Sequence, residues 1–381
     1  MSANMKTPIY LDYNATSPIR PSVIDAVTSA MQSVGNPSSV HGAGRSARSA
    51  VEQARAKIAA MVNARPRDVM FCSGGTEASN AALYGAQASS LIISAIEHEC
   101  VQAAADASDL PVFRAPVAES GVILLNELED LLCKAPSGAL VSVMAANNET
   151  GAIQPIAQIA EIARKHGALF HCDAVQAAGR IPLDIGALGT NYLTLSSHKI
   201  GGPQGVGAIV LSPTAPLKPL IVGGGQELGR RSGTENVAGI VGFGEAAMEA
   251  MAAIPDMARL ALLRDRLEGQ MRAHAPTAVI IGAAAERLAN TSCIAIPGLK
   301  GETQVMHFDL AGICISSGSA CSSGKVKVSH VLSAMGYSEH IAASSIRVSF
   351  GYQTEKSDVD AFFEAWKSLY DRKAAQGGGF G

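Results

Sequence analysis

The sequence predicts an α/β protein, with a large domain built on a mostly parallel sheet and a smaller α+β domain. Short apolar runs alternate with longer alanine-rich stretches of helical periodicity, the pattern of βα units. The 381 residues amount to roughly two to three ordinary domains. A hydrophobic fraction of 48% with 17% charged residues is that of a globular chain. We therefore expect the mostly parallel sheet to organise the larger part of the chain.

Composition excludes several classes of function. The formal net charge is −3 and the 30 basic residues are scattered, so neither nucleic acid nor an anionic membrane is an expected partner. Seven cysteines without a C-x-x-C pair argue against a disulfide framework and against a zinc site, so no intrinsic metal is expected. The first eight residues lack the pattern of a secretory signal, and no window approaches about 18 uninterrupted apolar residues. The expected location is a reducing cytoplasm.

Five apolar runs of the first half predict strands, at 68–72, 90–95, 139–144, 168–172 and 192–195. Each run ends in polar residues: in order, Ser73-Gly74-Gly75-Thr76, Glu97-His98, Asn147-Asn148-Glu149, Asp173, and Ser196-Ser197-His198-Lys199. In open α/β sheets ligands bind beyond the carboxyl ends of the strands. Five such endings therefore predict one shared site.

The second half predicts the smaller domain. The pattern at 256–275 predicts a long helix with Leu260, Leu263 and Leu267 on one face. Short strands follow at 291–296, 313–316 and 345–349, together with two helical stretches. The predicted organisation is an N-terminal segment, 1–15, that packs with the small domain, a large domain at 16–255 and a small domain at 256–381.

Lys199 and Asp173 are the first candidate catalytic pair. Taken alone, Lys199 could be a surface charge, but Asp173 lies one βα unit upstream at another strand end. In a pyridoxal phosphate site a lysine amine forms the Schiff base, and a carboxylate keeps the pyridinium nitrogen protonated. The alternative is a buried ion pair without catalytic use, which would be costly. Gly201 and Gly202 after the lysine are expected to let the backbone approach a ligand closely.

The turn that contains Gly75 and Thr76 is a candidate phosphate cradle. It follows a predicted strand and opens a helix, so its N–H groups and the Thr76 hydroxyl can bind an anion. A Gly-Gly-Thr turn is by itself a weak signal, because it has neither a Walker lysine nor dinucleotide-site spacing. A looser G-x-G-x-x-A match at 42–47 follows a polar loop and is interpreted as chance.

His98 and Arg347 each have an ordinary alternative. A lone histidine is usually a structural residue, but the position of His98 at a strand end favours a ring stacked on a planar cofactor and able to move protons. Arg347, on the predicted strand 345–349, is a candidate for bidentate capture of a substrate carboxylate. Its alternative is a surface arginine.

Cys321 differs from the other cysteines, most of which lie in apolar surroundings typical of packing residues. Residues 316–324 are small and carry no anchoring hydrophobe, which predicts a mobile, exposed loop. Such a loop would let a thiolate move between two positions. The competing interpretation is an incidental exposed cysteine.

Together these residues resemble the class I cysteine desulfurases, the nitrogenase and iron-sulfur-cluster type of fold-type I pyridoxal phosphate enzymes in the class V aminotransferase family. The resemblance runs nearly end to end. The matching blocks are Tyr10 to Thr16, Gly35 to Ser39, Ser73 to Glu77, Asn147 to Gly151, Asp173 to Gln176, Ser196 to Lys199, Arg231 to Thr234, and Ser316 to Cys321.

The resemblance implies a homodimer that binds pyridoxal 5′-phosphate through a Schiff base to Lys199. Asp173 would pair with the pyridine nitrogen, Gln176 would bond the ring hydroxyl and His98 would stack on the ring. Thr234 would reach the phosphate of the partner chain's cofactor. Asn148 and Arg347 would bind the carboxylate of L-cysteine. The implied cofactor-binding set is Gly75, Thr76, His98, Asn148, Asp173, Gln176, Ser196, Ser197, His198, Lys199 and Thr234.

The implied reaction converts L-cysteine into L-alanine and a persulfide on Cys321, with catalytic roles for Cys321, Lys199 and His98. The persulfide would pass to a sulfur acceptor such as an iron-sulfur scaffold protein, with which Cys321 would also serve as a transient cluster ligand. A selenocysteine lyase or another small-amino-acid enzyme on the same fold is the alternative, although an aminotransferase needs no loop thiol. A catalytically idle adaptor is a third hypothesis, against which intact Lys199, Asp173, His98 and Cys321 argue.

Overall fold

The structure is a computed structural model that describes residues 8–318, 321–322, 325–326 and 328–375, without the side chains of 319–327. Its strands are β1 (Ile9–Tyr10), β2 (Val69–Cys72), β3 (Leu91–Ser94), β4 (Val112–Ala115), β5 (Leu140–Ser142), β6 (Leu169–Asp173), β7 (Tyr192–Ser196), β8 (Gly207–Leu211), β9 (Val279–Ile281), β10 (Thr291–Ala295), β11 (Ile313–Cys314), β12 (Ser316–Ser317), β13 (Cys321–Ser322), β14 (Lys325–Val326) and β15 (Ser345–Ser349). Its α-helices are α1 (Pro21–Gln32), α2 (Gly42–Met61), α3 (Gly75–Gly85), α4 (Glu99–Asp106), α5 (Leu125–Lys134), α6 (Ile156–Lys165), α7 (Ile185–Leu188), α8 (Val237–Ala253), α9 (Met257–His274), α10 (Gly301–Leu310), α11 (His330–Ala334), α12 (Glu339–Ala343) and α13 (Lys356–Ala375).

The large sheet has seven strands in the order β2-β8-β7-β6-β5-β3-β4. All neighbouring pairs from β7 to β4 are parallel, and only β8 runs antiparallel to both of its neighbours. Because β2 and β7 both oppose β8, they point the same way. The carboxyl ends of the five predicted strands therefore share one edge, and the predicted fold class is confirmed.

Successive side chains of a strand point to opposite faces of this sheet, and helices cover both faces. Ile92 packs into a core that includes residues of α2, α5, α6 and α8, whereas Leu91 and Ile93 pack into a separate core with residues of α3 and α4. All three side chains are at most 1% exposed. A parallel sheet buried on both faces needs apolar side chains at consecutive positions, which is why these strands read as continuous apolar runs.

The smaller sheet is antiparallel, in the order β12-β15-β10-β9. Its core contains Leu260 and Leu267 of α9, Phe308 of α10, and Phe362 and Trp366 of α13. The rings of Phe308 and Phe362 stack with centroids 4.4 Å apart. The N-terminal segment joins this part of the molecule, because β1 pairs in parallel with β11 and Leu11 lies in the same core.

The sequence-based prediction lacks six of the strands that the structure describes, β1, β4, β8, β9, β13 and β14. The predicted 313–316 strand is in fact two short strands, β11 and β12, which pair with different partners.

Among the described residues, one helical stretch, Val237–His274, is long and apolar enough by length and composition to cross a membrane. The run is interrupted by the 3₁₀ turn Ile254–Asp256, which contains Pro255. Phe243 and Ala247 of α8 are fully buried in the core beneath the large sheet. The first half of the run therefore behaves as a core helix.

Candidate active site

The polar ends of the strands converge on one cavity of about 370 Å³. It opens at the carboxyl edge of the large sheet, against the N-terminal segment and β15 of the smaller sheet. Of the residues predicted from the sequence it brings together Gly75, Thr76, His98, Asn148, Asp173, Gln176, Ser196, His198, Lys199 and Arg347.

Lys199 occupies the 3₁₀ turn Ser197–Lys199 directly after β7. Its Nζ donates hydrogen bonds to the carbonyl oxygens of Asn14, at 2.7 Å, and Ala15, at 2.8 Å. Burial, and secondarily the positive charges of Arg347 and Arg180, lower the pKa of Lys199 to about 8. The lowered pKa enriches the neutral amine, which is the nucleophilic form.

Asp173 is the last residue of β6 and only 6% exposed. Its Oδ1 accepts the N–H of Val175 at 2.9 Å. Within the described ranges, no lysine or arginine lies within ion-pair distance of this carboxylate. Burial raises the pKa of Asp173 above its ordinary value, and the N–H bond from Val175 and the positive charge of Lys199 offset this only in part. A buried acid without a cationic partner on the wall of a cavity is suited to receive a cationic N–H from a ligand.

The start of α3 forms the anion-binding end of the cavity. The first N–H groups of a helix have no intrahelical partners, and its positive dipole end favours a phosphate. Glu77 fixes this turn, because its Oε2 accepts the N–H of Ser73 at 2.8 Å. Gly207 of β8 lets the turn lie close, since a Cβ there would stand 2.7 Å from the Cα of Gly74.

His198 completes the anion-binding end. Thr16 Oγ1 lies 3.1 Å from His198 Nδ1. Burial, with a smaller contribution from Lys199, lowers the pKa of His198 to about 4, so the ring is neutral. With the threonine hydroxyl donating to Nδ1, the Nε2–H of His198 is left to donate to a ligand.

His98 is the N-cap of α4, and its Nδ1 accepts the N–H of Cys100 at 3.2 Å. This bond places the proton of the neutral ring on Nε2. Burial lowers the pKa of His98, although the negative charge of Asp173 raises it. The neutral ring can therefore lie against an aromatic ligand and carry a proton at Nε2.

Gln176 is held rigidly at the floor of the cavity. Its Nε2 donates to the carbonyl of Asn14 at 3.0 Å, and its Oε1 accepts from Arg180. Arg180 is buried without a carboxylate partner among the described residues, and burial lowers its pKa to about 9. Sequence reasoning missed Arg180, although its position four residues after Gln176 is the spacing that brings two side chains together on a helical turn.

Arg347 lies on β15 and is 8% exposed. Its Nη2 bonds Asp12 Oδ1 at 2.8 Å, and its Nη1 donates to the carbonyl of Asn148 at 3.0 Å. Its buried Nε has no partner among the described residues. The side-chain amide of Asn148 also lacks a hydrogen bond within the described part of the chain. Arg347 and Asn148 both line the cavity, where the second N–H of Nη1 and the Asn148 amide are available to a carboxylate.

Three predicted site residues are not brought into this cavity. Ser197 is fully buried, and its Oγ packs against Gly202. Thr234 is exposed and lines a separate cavity with Arg231 and Glu227. Cys321 belongs to β13, which pairs with β14, but its side chain lies outside the described residues.

The sequence analysis also missed Asn14 and Cys100, which line the cavity. Asn14 is 1% exposed and joins three parts of the chain, since its Nδ2 bonds Thr291 Oγ1 and the carbonyl of Asn148. Burial raises the pKa of Cys100 to about 12, so its thiol is not ionised near neutral pH. The only sequence signal for Asn14 was its place in the Tyr10 to Thr16 block.

Comparison with known proteins identifies the family. Residues 9–362 match the model of the class-V aminotransferases. A cysteine desulfurase from Cereibacter sphaeroides is 40% identical over 378 residues, covering 96% of this chain and 97% of the relative. A NifS-like protein from Rickettsia africae superimposes with a TM-score of 0.90 at 39% identity, over 96% of this chain and 99% of that chain. A structure described as SspA in complex with cysteine has a TM-score of 0.76 at 30% identity, over 90% of this chain and 98% of that chain. The chain therefore belongs to the class-V aminotransferase family and, within it, to the cysteine desulfurases.

Proposed function

We propose that this chain removes sulfur from L-cysteine with pyridoxal 5′-phosphate bound to Lys199, and that Cys321 receives the sulfur as a persulfide. One observation carries the proposal: a lysine amine with a pKa lowered to about 8 lines the same cavity as a buried carboxylate that has no cationic partner among the described residues. A Schiff base requires the first of these groups, and a protonated pyridine nitrogen requires the second. The relative solved with cysteine bound supports the choice of substrate.

The residues of the cavity fit this cofactor from end to end. The α3 turn with Thr76, Ser196 and His198 suits the phosphate, Asp173 suits the ring nitrogen, and Gln176 suits the ring hydroxyl. When bound, the cofactor withdraws electron density from the amino acid joined to it, which weakens the bonds at Cα and the Cβ–S bond. The remaining chemistry belongs to side chains of the protein.

Each of these side chains has a definite task. Arg347 and Asn148 hold the substrate carboxylate, and the free amine of Lys199 removes the α-proton. His98 holds a proton at Nε2 close to the reacting atoms. The Cys321 thiolate bonds to the substrate sulfur while the Cβ–S bond breaks, and protons added to the carbon skeleton give alanine. One cysteine and one enzyme thiol thus yield one alanine and one persulfide.

The proposed working form is a homodimer in the cytoplasm. Thr234 lies in a loop whose Val222 and Leu228 are 79% and 75% exposed, and apolar groups in such a loop are typical of a surface covered by another subunit. A second copy placed there would receive Thr234 near its own phosphate site. A sulfur acceptor, such as an iron-sulfur scaffold protein, would then take the persulfide sulfur from Cys321.

The proposal is tested by incubating the cofactor-loaded protein with L-cysteine and a thiol reductant and measuring both products. L-Alanine and sulfide should appear in equal amounts. Pyruvate and ammonia in place of alanine would show a β-elimination and would overturn the proposed reaction. Light scattering on the same sample should give the mass of two chains.

The lowered pKa of Lys199 predicts how cofactor binding depends on pH. Protonated lysine does not attack the aldehyde, so the initial rate of Schiff base formation by the apo-protein should rise with pH and level off above about pH 8. An ordinary lysine would give a rate still rising tenfold per pH unit at about pH 9.5. The rate is measured from the growth of visible absorption after pyridoxal 5′-phosphate is added. A rate that still rises steeply at about pH 9.5 would contradict the buried environment assigned to Lys199.

Replacing Arg347 by alanine should weaken substrate binding more than it slows turnover. Loss of a buried charge-assisted contact with a carboxylate is worth about 3 kcal/mol, which predicts a KM for L-cysteine raised about a hundredfold. Steady-state kinetics measure the effect. Arg347→Lys keeps the charge but loses the planar guanidinium, so its KM for L-cysteine should lie between those of the wild type and Arg347→Ala. An unchanged KM in Arg347→Ala would remove Arg347 from the carboxylate site.

A further inference from the structure

The chain segment that carries Cys321 is flanked by two serines that donate to carboxylates. Before the segment, Ser316 Oγ donates to Asp12 Oδ2 at 2.8 Å. After it, Ser329 Oγ donates to Glu149 Oε2 at 2.6 Å. Both distances are normal for a hydroxyl donor, so each end of the segment is attached to a side chain from a distant part of the sequence.

The first attachment is shared with the arginine of the carboxylate site. Asp12 Oδ1 pairs with Arg347 Nη2 at 2.8 Å, and the same Nη2 lies 3.1 Å from Ser316 Oγ. The three side chains therefore form a closed triangle. The side chains of Arg347 and Asp12 are only 10% and 16% exposed, so solvent screens their attraction less than that of a surface pair.

The second attachment reaches the same arginine through the backbone. Glu149 follows Asn148, whose carbonyl accepts from Arg347 Nη1 at 3.0 Å. Beside Ser329, His330 Nε2 donates to the carbonyl of Glu97, the residue before His98, at 2.9 Å. The far end of the segment is thus tied to the strand ends that present Asn148 and His98.

We propose that Asp12 and Glu149 are positioning residues that couple capture of the substrate carboxylate at Arg347 to placement of the segment carrying Cys321. The inference rests on the proposed function. Arg347 lines the cavity, and its Nη1 uses only one of its two N–H groups on the Asn148 carbonyl among the described residues. A bound carboxylate can therefore fix the guanidinium without displacing Asp12 or the Asn148 carbonyl. Because the guanidinium is bonded to Asp12 and to the Asn148 carbonyl, holding it in place also holds these two partners. Asp12 is bonded to Ser316, and Glu149, the residue after Asn148, is bonded to Ser329.

The test compares two reactions of the same holoenzyme. Persulfide formation at saturating L-cysteine requires Cys321, whereas exchange of the α-proton of L-alanine in deuterated water requires Lys199 and the carboxylate site alone. In Ser329→Ala, loss of the hydrogen bond to Glu149 should slow persulfide formation about tenfold. Exchange into L-alanine should stay within about twofold of the wild type, because the carboxylate site is intact.

Ser338→Ala is the matched control. Ser329 and Ser338 are both N-caps of five-residue helices, and both accept an N–H of their helix, from Leu332 and Ile341 respectively. Among the described residues only Ser329 of the two donates to a carboxylate. Ser338→Ala should therefore change neither reaction.

Two results would overturn the coupling. The first is a Ser329→Ala variant in which both reactions slow equally, because that is the outcome of a general structural defect. The second is a variant in which neither reaction changes. A wild type that forms no persulfide at all would instead overturn the proposed function, and the inference would fail with it.

Discussion

Lys199→Ala should bind pyridoxal 5′-phosphate without acquiring the visible absorption of a lysine Schiff base, and its rate of alanine formation should fall at least about a thousandfold. The variant removes the amine that binds the cofactor and that also removes the α-proton. The backbone carbonyls of Asn14 and Ala15, which accept from Nζ, remain in place. Loss of activity should therefore not reflect loss of fold.

The measurement is a cofactor titration of the apo-protein followed by visible spectra and an alanine assay. Lys57→Ala is a suitable control, because Lys57 forms a half-exposed ion pair with Glu245 on the helices away from the cavity. It should retain the full absorption and turnover. If Lys199→Ala acquired the same absorption band as the wild type, another amine would hold the cofactor.

Cys321→Ala should have the second largest effect. The variant should keep the cofactor absorption but lose persulfide, and alanine formation should fall at least about a thousandfold, because the substrate sulfur has no acceptor. Absorption spectra, alanine release and persulfide labelling measure the three properties.

Two other cysteines make this experiment specific. Cys133 on α5 is exposed and Cys100 lines the cavity. The Cys100 thiol has a pKa raised to about 12 by burial, so it is a poor nucleophile near neutral pH. Cys133→Ala and Cys100→Ala should therefore keep most of the turnover. A Cys321→Ala variant with undiminished turnover, together with an inactive Cys100→Ala, would move the nucleophile to Cys100.

The site residues that could be predicted from the sequence are those that lie at the ends of strands in the large sheet. Thr76, His98 and Lys199 each follow a strand and Asp173 ends one, and once the strands are parallel their ends must meet at one edge. Strand β8 did not emerge from the same reasoning. Its pairing with β7 is local, but its antiparallel place beside β2 depends on pairing across more than a hundred residues.

Contacts between distant parts of the chain could not be predicted in this way. Asp12 and Arg347 are 335 positions apart, and each looks like an ordinary charged residue in its own neighbourhood. Gly201 and Gly202 were expected to let the backbone approach a ligand. In the structure they instead make room for protein side chains: a Cβ at Gly201 would stand 2.9 Å from Arg20 Cγ, and Gly202 packs against Ser197. Their smallness serves packing beside Lys199.

The central claim is that Cys321 receives the sulfur of L-cysteine. The most direct measurement is mass spectrometry of the cofactor-loaded protein after one equivalent of L-cysteine, with peptides separated after blocking free thiols. The peptide that contains Cys321 should gain the mass of one sulfur atom, and one L-alanine should be released for each modified chain. Alanine release with the extra sulfur on another cysteine, or on none, would contradict the account.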